Sequence, residues 1–232
     1  MIAVIGDIHG CYYTLLELVN QIRKKYPHAE IISLGDLVDR GNHSFKVVDF
    51  VMNEEIRFVP GNHDYMFYHF FKYPSSAFAR SWVFNGNEAT LESYEGHEEE
   101  ILEHIDFIAN APLYLDLDDA FITHAGISKY YENILPKNFR DNLEATLPEV
   151  IHRDYLHDIG VLWTRDPLLD IGKIQIVGHS KINEPKFDVE ANALYIDTGA
   201  FAGNKLSAAI VEDNEVIEIL SEKTHIQDYR IY

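Results

Sequence analysis

The sequence has little cysteine, few basic side chains and no long apolar run. Cys11 is the only cysteine among 232 residues, so no disulfide can form within the chain and we expect a reducing compartment. Lys and Arg number 19 against 38 Asp and Glu, a formal net charge of −19, which disfavours nucleic acid and anionic membranes as partners. The apolar runs are too short for a membrane span, and residues 1–5 are too short for a secretory signal. We therefore expect a cytoplasmic protein.

The hydrophobic fraction of 47% is enough for one full core, and we expect a single domain over residues 1–232. Apolar runs and helical patterns alternate in the first third of the chain. The predicted strands are 2–5, 29–34 and 56–59, and the predicted helices are 11–25 and 45–51. This alternation is typical of parallel strands joined by helical crossovers, and therefore of an α/β fold.

The rest of the chain is predicted to be less regular. Residues 65–111 form a mostly helical insert rich in aromatic side chains, which are more typical of a core than of a binding surface. Further strands are predicted at 112–115, 120–123, 174–177 and 193–196, and a closing hairpin at 205–211 and 214–220. Proline is predicted to end helices at Pro136, Pro148 and Pro167.

One acidic turn stands out, Gly35-Asp-Leu-Val-Asp-Arg-Gly41, directly after the predicted strand 29–34. It places Asp36, Asp39 and Arg40 within five residues, between glycines that allow a sharp turn close to a ligand. The carboxyl end of a strand is a usual ligand position in α/β proteins. Taken alone, the turn is equally compatible with an ordinary loop that holds an Asp–Arg ion pair.

Several other predicted strands end in a glycine-containing turn with polar side chains. These side chains are Asp7 and His9, Asn62 and His63, His124, and His179. Oxygen and imidazole ligands without thiolate suit manganese, iron or zinc, and the two oxygens of Asp36 could bridge two metals. Such a pair can activate a water and clamp a phosphoryl group. By contrast, His152 and His157, near Asp154 and Asp158, follow no predicted strand and are interpreted as an exposed helix face.

These motifs resemble those of a known family. Gly6-Asp-Ile-His-Gly10, Gly35-Asp-Leu-Val-Asp-Arg-Gly41 and Gly61-Asn-His-Asp64 are similar to the three signature motifs of the phosphoprotein phosphatase branch of the calcineurin-like metallophosphoesterases. The later metal-ligand motifs of that branch are matched by His124-Ala-Gly126 and Gly178-His-Ser180. A likeness to the compact bacterial and lambda phage serine/threonine protein phosphatases extends to Trp82, Asn85-Gly86, Trp163-Thr-Arg165 and Ile196-Asp-Thr-Gly-Ala200. The resemblance covers about residues 1–210. It implies an α-β-β-α sandwich of two mixed sheets flanked by helices, with the active site at strand carboxyl ends.

The resemblance also implies roles for individual residues. The first of two divalent metals, with manganese expected and iron or zinc as alternatives, would be held by Asp7, His9 and Asp36. The second metal would be held by Asp36, Asn62, His124 and His179. A hydroxide shared by the metals would attack phosphorus directly, in line with the leaving group. His63 would protonate the leaving oxygen and Asp39 would orient it, while Arg40, Arg165 and Asn62 would bind the phosphoryl oxygens.

The implied function is a serine/threonine protein phosphatase, with phosphotyrosine and small phosphate esters as further candidate substrates. Asp64 leaves an alternative open, because symmetrical dinucleoside-tetraphosphate hydrolases have aspartate where many protein phosphatases have glutamate. Asp39 favours the phosphatases, since those hydrolases often lack an acid there, and the few residues after position 200 lead us to expect no long nucleotide-binding extension. A non-catalytic metal-binding scaffold is a third alternative. Such a scaffold should have lost a ligand or an arginine, and none is missing.

Overall fold

The apolar runs form two five-stranded sheets in the structure, a computed structural model that describes residues 1–229. In chain order the strands are β1 Ile2–Ile5, β2 Glu30–Ser33, β3 Arg57–Phe58, β4 Leu115–Asp116, β5 Phe121–Ile122, β6 Gln175–Val177, β7 Lys186–Asp188, β8 Ala193–Tyr195, β9 Lys205–Glu212 and β10 Glu215–Lys223. The first sheet has the order β10-β9-β1-β2-β3 and the second has the order β4-β5-β6-β8-β7.

Each sheet has a parallel centre and antiparallel edges. In the first sheet β1, β2 and β3 are parallel, with Val4 opposite Ile32, and β9 and β10 form an antiparallel hairpin beside β1. In the second sheet β5, β6 and β8 are parallel, with Ile122 opposite Ile176, and β4 and β7 run antiparallel at the edges. Because parallel strands end at the same edge of a sheet, the turns that follow them are brought together.

Within residues 1–229, seven α-helices cover or extend these sheets. They are α1 Tyr12–Lys25, α2 Ser44–Asn53, α3 Asn62–Lys72, α4 Ala77–Trp82, α5 Asn87–Ser93, α6 Ile101–Ala109 and α7 Leu143–Asp154. The four helices from α3 to α6 form the predicted aromatic insert, although α3 begins at Asn62, three residues before the predicted start. No helix within residues 1–229 is both long enough and apolar enough to cross a membrane.

The strand β1 shows how the sandwich buries both faces of a sheet. Side chains alternate along a strand, so Ile2 and Val4 face the second sheet while Ala3 and Ile5 face α1. All four are at most 3% exposed. Each large apolar side chain buried in this way stabilises the fold by about 1.5–3 kcal/mol. The two mixed sheets with helices on their outer faces confirm the predicted α-β-β-α sandwich.

One local prediction is wrong, two predicted strands are too long, and one strand was not predicted. Pro148 does not end a helix but lies inside α7; burial of Leu147, Val150 and Ile151 against the second sheet offsets the hydrogen bond that proline cannot donate. The predicted strands 112–115 and 120–123 pair over only two residues each. The strand β7 was not predicted, because Lys-Phe-Asp at an exposed sheet edge has no apolar run to reveal it.

Candidate metal centre

Six predicted metal ligands meet at the carboxyl ends of the parallel strands. The first sheet contributes Asp7 and His9 after β1, Asp36 after β2 and Asn62 after β3, and the second contributes His124 after β5 and His179 after β6. None of the six is more than 8% exposed. Two sets of three side chains could each hold a metal ion, with ligand atoms within 4.8 Å of one another: His9, Asp36 and His63, and Asp7, Asp36 and His124.

Asp36 belongs to both sets. Its Oδ2 lies 3.3 Å from Nε2 of His9 and 3.6 Å from Nε2 of His124. Its Oδ1 accepts the backbone N–H of His63 at 2.9 Å, which fixes the orientation of the carboxylate. A carboxylate oxygen between two imidazoles from different sheets is suited to join two metal sites.

Backbone carbonyls set the protonation of His9 and His124. Nδ1 of His9 lies 2.9 Å from the carbonyl oxygen of Val38, and Nδ1 of His124 lies 2.8 Å from that of Leu34. A carbonyl oxygen only accepts, so Nδ1 carries the hydrogen in both rings. The lone pair of each Nε2 therefore points into the site, which is the arrangement that metal-binding histidines require.

The ring of His179 is turned the other way with the same result. Its Nε2 donates to the carbonyl oxygen of Trp163 at 3.1 Å, so the lone pair is on Nδ1. That Nδ1 lies 2.9 Å from Oδ1 of Asn62, and Nε2 of His124 lies 3.1 Å from the same oxygen. Three acceptor atoms thus meet with no donor hydrogen between them, and a cation is the group that satisfies such a set.

Asp7 adds a further unsatisfied acceptor. Its Oδ2 accepts the backbone N–H of His179 at 3.0 Å, but its buried Oδ1 has no hydrogen-bond partner within residues 1–229. Gly178 packs so closely on this carboxylate that a β-carbon there would overlap Oδ1. A buried, unpaired carboxylate oxygen is costly unless a charge or a metal compensates for it, so the donor set fits divalent metal ions.

The electrostatics agree with this chemistry. Burial raises the pKa of Asp7 well above its usual range, and the nearby carboxylates of Asp197 and Asp36 raise it further. Burial and the charges of His124 and Arg165 lower the pKa of His179 to about 3, and burial lowers the pKa of His124. These imidazoles are therefore neutral at ordinary pH, as metal ligands must be.

The backbone of the site is strained. Nine non-glycine residues within residues 1–229 have positive φ. Five of them lie at the centre: His9 at 46°, Asp36 at 46°, Asp39 at 72°, Arg40 at 69° and His179 at 62°. Left-handed conformations cost non-glycine residues on the order of 1–3 kcal/mol each and are concentrated at functional sites.

Beside the proposed ligands, His63 is held by a buried acid. Its Nδ1 lies 2.6 Å from Oδ2 of Asp39. The carboxylate of Asp39 also accepts hydrogen bonds from Nε1 of Trp82 at 2.9 Å and from the hydroxyl of Thr90 at 2.7 Å. Nε2 of His63 consequently faces the site while Nδ1 remains bound to Asp39. This Nε2 accepts from Arg40, so it becomes a proton donor only after it has taken up a proton.

Two arginines of the sequence prediction lie at the same cavity. The guanidinium of Arg40 contacts Nε2 of His9 at 2.8 Å and Nε2 of His63 at 2.9 Å, and it stacks 4.4 Å from the ring centre of Phe201. Arg165 is exposed and makes no hydrogen bond or ion pair within residues 1–229. The cavity has a volume of about 420 Å³ and is lined by Asp36, Arg40, Asn62, His63, Asn85, Asp158, Trp163, Arg165, Asp166 and His179.

Two residues that shape the site, Asp64 and Thr90, were given no structural role from the sequence. Asp64 accepts backbone N–H groups from Leu37 at 2.8 Å, Val38 at 3.3 Å and Gly61 at 2.9 Å, so it joins the acidic turn to the start of α3. Its position in a motif had been noted, but only as a clue to substrate. Thr90 lies 51 residues from Asp39, and no local pattern could have connected the two.

The comparisons with known proteins agree with this geometry. The family model described as calcineurin-like phosphoesterase matches residues 1–216. A relative from Oceanobacillus iheyensis is 27% identical over 253 residues, covering 98% of this chain and 95% of its own length. One from Bacillus cereus is 29% identical over 243 residues, covering 94% of this chain and 93% of its own length. Both relatives are named asymmetrical bis(5'-nucleosyl)-tetraphosphatase PrpE.

Solved structures show the same fold at lower identity. One described as a candidate diadenosine tetraphosphatase has a TM-score of 0.64 and 17% identity, covering 97% of this chain and 94% of its own. A cold-active protein-tyrosine phosphatase from a psychrophilic Shewanella has a TM-score of 0.64 and 15% identity, and the match covers 97% of this chain and 80% of that one. A serine/threonine phosphatase from Saccharomyces cerevisiae has a TM-score of 0.57 and 17% identity, and the match covers 96% of this chain and 79% of that one. At these identities the likeness establishes the fold alone.

Proposed function

The chain belongs to the calcineurin-like phosphoesterase family, and on this basis we propose that it is a metal-dependent phosphomonoesterase acting on phosphoserine and phosphothreonine in proteins. Phosphotyrosine and small phosphate esters are further candidate substrates. The observation that carries this proposal is the buried contact between Asp39 and His63, 2.6 Å long.

The proposed metal ligands are Asp7, His9 and Asp36 for one ion and Asp36, Asn62, His124 and His179 for the other. Their oxygen and nitrogen donors suit manganese first, with iron and zinc as alternatives. When bound, a pair of divalent ions supplies an activated water and neutralises charge on the phosphoryl oxygens. This assignment is supported by the Oδ1 of Asp7, which has no partner among residues 1–229, and by the facing lone pairs of His124 and His179.

The protein's own side chains would complete the reaction. His63 would take up a proton on Nε2 and give it to the leaving oxygen, and Asp39 holds the ring in place. Arg40 and Arg165 donate to the phosphoryl oxygens, since a planar guanidinium matches two oxygens at once. The amide of Asn62, which also lines the cavity, is a further donor to the substrate.

The leaving group distinguishes the candidate substrates. An alkoxide from serine or threonine is a strong base and departs only when it receives a proton, so its ester requires a general acid. The phosphate released from a nucleotide anhydride is far less basic and depends less on protonation. An acid that is buried and held by Asp39 therefore favours an alcohol ester as substrate.

A second candidate is hydrolysis of dinucleoside tetraphosphates. It is favoured by the relatives from Oceanobacillus iheyensis and Bacillus cereus, which match nearly the whole chain and carry that activity in their names. The proposed metals and arginines would serve an anhydride as well as an ester. The alternative kept in the sequence analysis was a symmetrical dinucleoside-tetraphosphate hydrolase, whereas these relatives are named asymmetrical hydrolases.

A direct comparison of substrates tests the proposal. A phosphoserine peptide, a phosphothreonine peptide, a phosphotyrosine peptide and diadenosine tetraphosphate are offered to the purified protein with manganese, and kcat/KM is measured for each. We expect the phosphoserine or phosphothreonine peptide to have the highest value. A value of kcat/KM about 100-fold higher for diadenosine tetraphosphate corresponds to roughly 2.7 kcal/mol of transition-state stabilisation. That result would overturn the phosphatase proposal in favour of the second candidate.

A further inference from the structure

A second cavity, of about 460 Å³, lies beside α3. Its lining is Tyr65, Tyr68, His69, Tyr73, Ser76 and Tyr155, and we call it the tyrosine cavity. None of these residues has a role in the proposed phosphate chemistry. The helical insert predicted to supply core aromatics therefore also provides a concave surface lined by tyrosines.

The tyrosine cavity is connected to the metal centre through α3. The helix begins with Asn62 at the centre, and Tyr65 and His69 follow at the third and seventh positions after it. Residues with this spacing lie along one side of a helix. Three and seven residues of helix rise about 5 and 10 Å, which are the approximate distances along α3 from Asn62 to Tyr65 and His69.

The two cavities also share an aromatic wall. Trp163 lines the cavity at the candidate metal centre, and its carbonyl oxygen accepts a hydrogen bond from Nε2 of His179. Its ring centre lies 5.6 Å from that of Phe78, which lies 5.2 Å from that of His69 in the tyrosine cavity. A substrate bound at the metals could extend across this wall.

The tyrosine cavity is electrically neutral but rich in hydrogen-bonding groups. Burial raises the pKa of Tyr65 well above its ordinary value, and contact with Tyr155 contributes to the same rise. Burial lowers the pKa of His69, so its ring is uncharged at neutral pH. Four phenols, an imidazole and a serine hydroxyl provide ring faces and uncharged polar atoms, some of which pair with one another, as Nδ1 of His69 does with the hydroxyl of Ser76 at 3.2 Å. Such a lining does not suit phosphate but suits a flat, neutral ring.

We propose that the tyrosine cavity is a subsite for a planar, uncharged aromatic ring with hydrogen-bonding atoms on its edge, carried by the substrate whose phosphate reaches the metal centre. This proposal rests on the phosphoesterase function proposed above. A nucleobase and the side chain of a tyrosine in a phosphopeptide share this chemistry. They correspond to the two candidate substrates, so the ring that binds also indicates the substrate class.

Binding of rings without phosphate tests the subsite separately from catalysis. Adenosine and N-acetyltyrosinamide are titrated in separate experiments into the full-length protein, and the dissociation constants are measured by ligand-observed NMR. We expect one of them to bind and its affinity to fall about tenfold in Tyr155→Ala, a loss of about 1.4 kcal/mol. Tyr130→Ala is the control, since Tyr130 is 55% exposed and lines neither cavity.

Each outcome decides a separate point. Binding of adenosine supports a nucleotide substrate, and binding of N-acetyltyrosinamide supports a peptide. If neither binds, or if affinity is unchanged in both Tyr155→Ala and Tyr68→Ala, the subsite is overturned; Tyr68→Ala also serves if Tyr155→Ala fails to fold by circular dichroism. Ring binding without hydrolysis of any phosphate ester would reject the proposed function and keep the subsite, whereas hydrolysis without ring binding would reject the subsite alone.

Discussion

The carboxylate of Asp39 lies 2.6 Å from Nδ1 of His63, and neither side chain is more than 2% exposed. If this pair supplies the leaving-group proton, His63→Ala and Asp39→Asn should each lower kcat by ~10²–10⁴-fold. Metal content, measured by elemental analysis, should stay unchanged in His63→Ala. Loss of metal from that variant would instead make His63 a ligand. His152→Ala, at an exposed position on α7, is the matched control.

Trp82 is predicted to act through Asp39. Its indole donates to both carboxylate oxygens at 2.9 Å, and Trp82→Phe removes these bonds while keeping an aromatic ring. We expect kcat to fall about tenfold, because a lost hydrogen bond to a charged group is worth roughly 1.5–3 kcal/mol and Thr90 still holds the carboxylate. KM should change little. Phe84→Leu, at a side chain 87% exposed, controls for general effects in the insert, and an equal loss there would argue against a specific role.

Arg165 is expected to bind phosphate. Arg165→Ala should raise the inhibition constant of inorganic phosphate roughly 10- to 100-fold, since hydrogen bonds to charged groups contribute about 1.5–3 kcal/mol. Arg165→Lys should recover only part of this loss, because an ammonium cannot pair with two oxygens at once. Arg80→Ala on α4 provides the comparison. Unchanged inhibition by phosphate in Arg165→Ala would remove this residue from the site.

Metal removal should abolish hydrolysis. Exhaustive chelation followed by a phosphatase assay is expected to leave no activity, and added manganese should restore it, because the proposed chemistry needs a cation to activate water. The purified protein should contain two metal ions per chain. Full activity after chelation, with metal shown to be absent, would refute the proposed centre.

Replacing Asp64 is expected to lower the stability of the protein. Asp64→Asn leaves one oxygen for the three backbone N–H groups of Leu37, Val38 and Gly61, and it adds an amide group at a buried position. We expect the free energy of unfolding to fall by about 1–3 kcal/mol, measured by urea denaturation. Asp106→Asn removes only an exposed ion pair with Lys72 and should cost less than about 1 kcal/mol.

The sequence indicated that the proposed metal ligands lie in turns after strands, because strands and their following turns are local features. Apolar runs indicated β1, β2 and β6, and glycine-bounded polar turns after them indicated where ligands could meet. The partners of those residues were not predictable. Thr90 and Trp82 reach Asp39 across 51 and 43 residues, and no periodicity records a contact between distant segments.

The structure departs from local rules where burial outweighs them. The helix α7 continues through Pro148 because the neighbouring residues are packed in the core. The left-handed backbone of Asp36 and His179 could not be read from residue type either, because this conformation is uncommon for residues other than glycine. The backbone at Asp36 and His179 adopts an unfavourable left-handed conformation, and the positions of these two proposed ligands depend on it.

The proposed ligands come from both halves of the sandwich, with Asp36 in one sheet facing His124 in the other. An ion held there would cross-link the two layers. Because such an ion binds the folded chain and not the unfolded one, loading adds its binding free energy to the stability of the whole molecule. We therefore expect chains made during metal shortage to open more often and to be degraded sooner, so that the amount of this protein in a cell follows the supply of its metal.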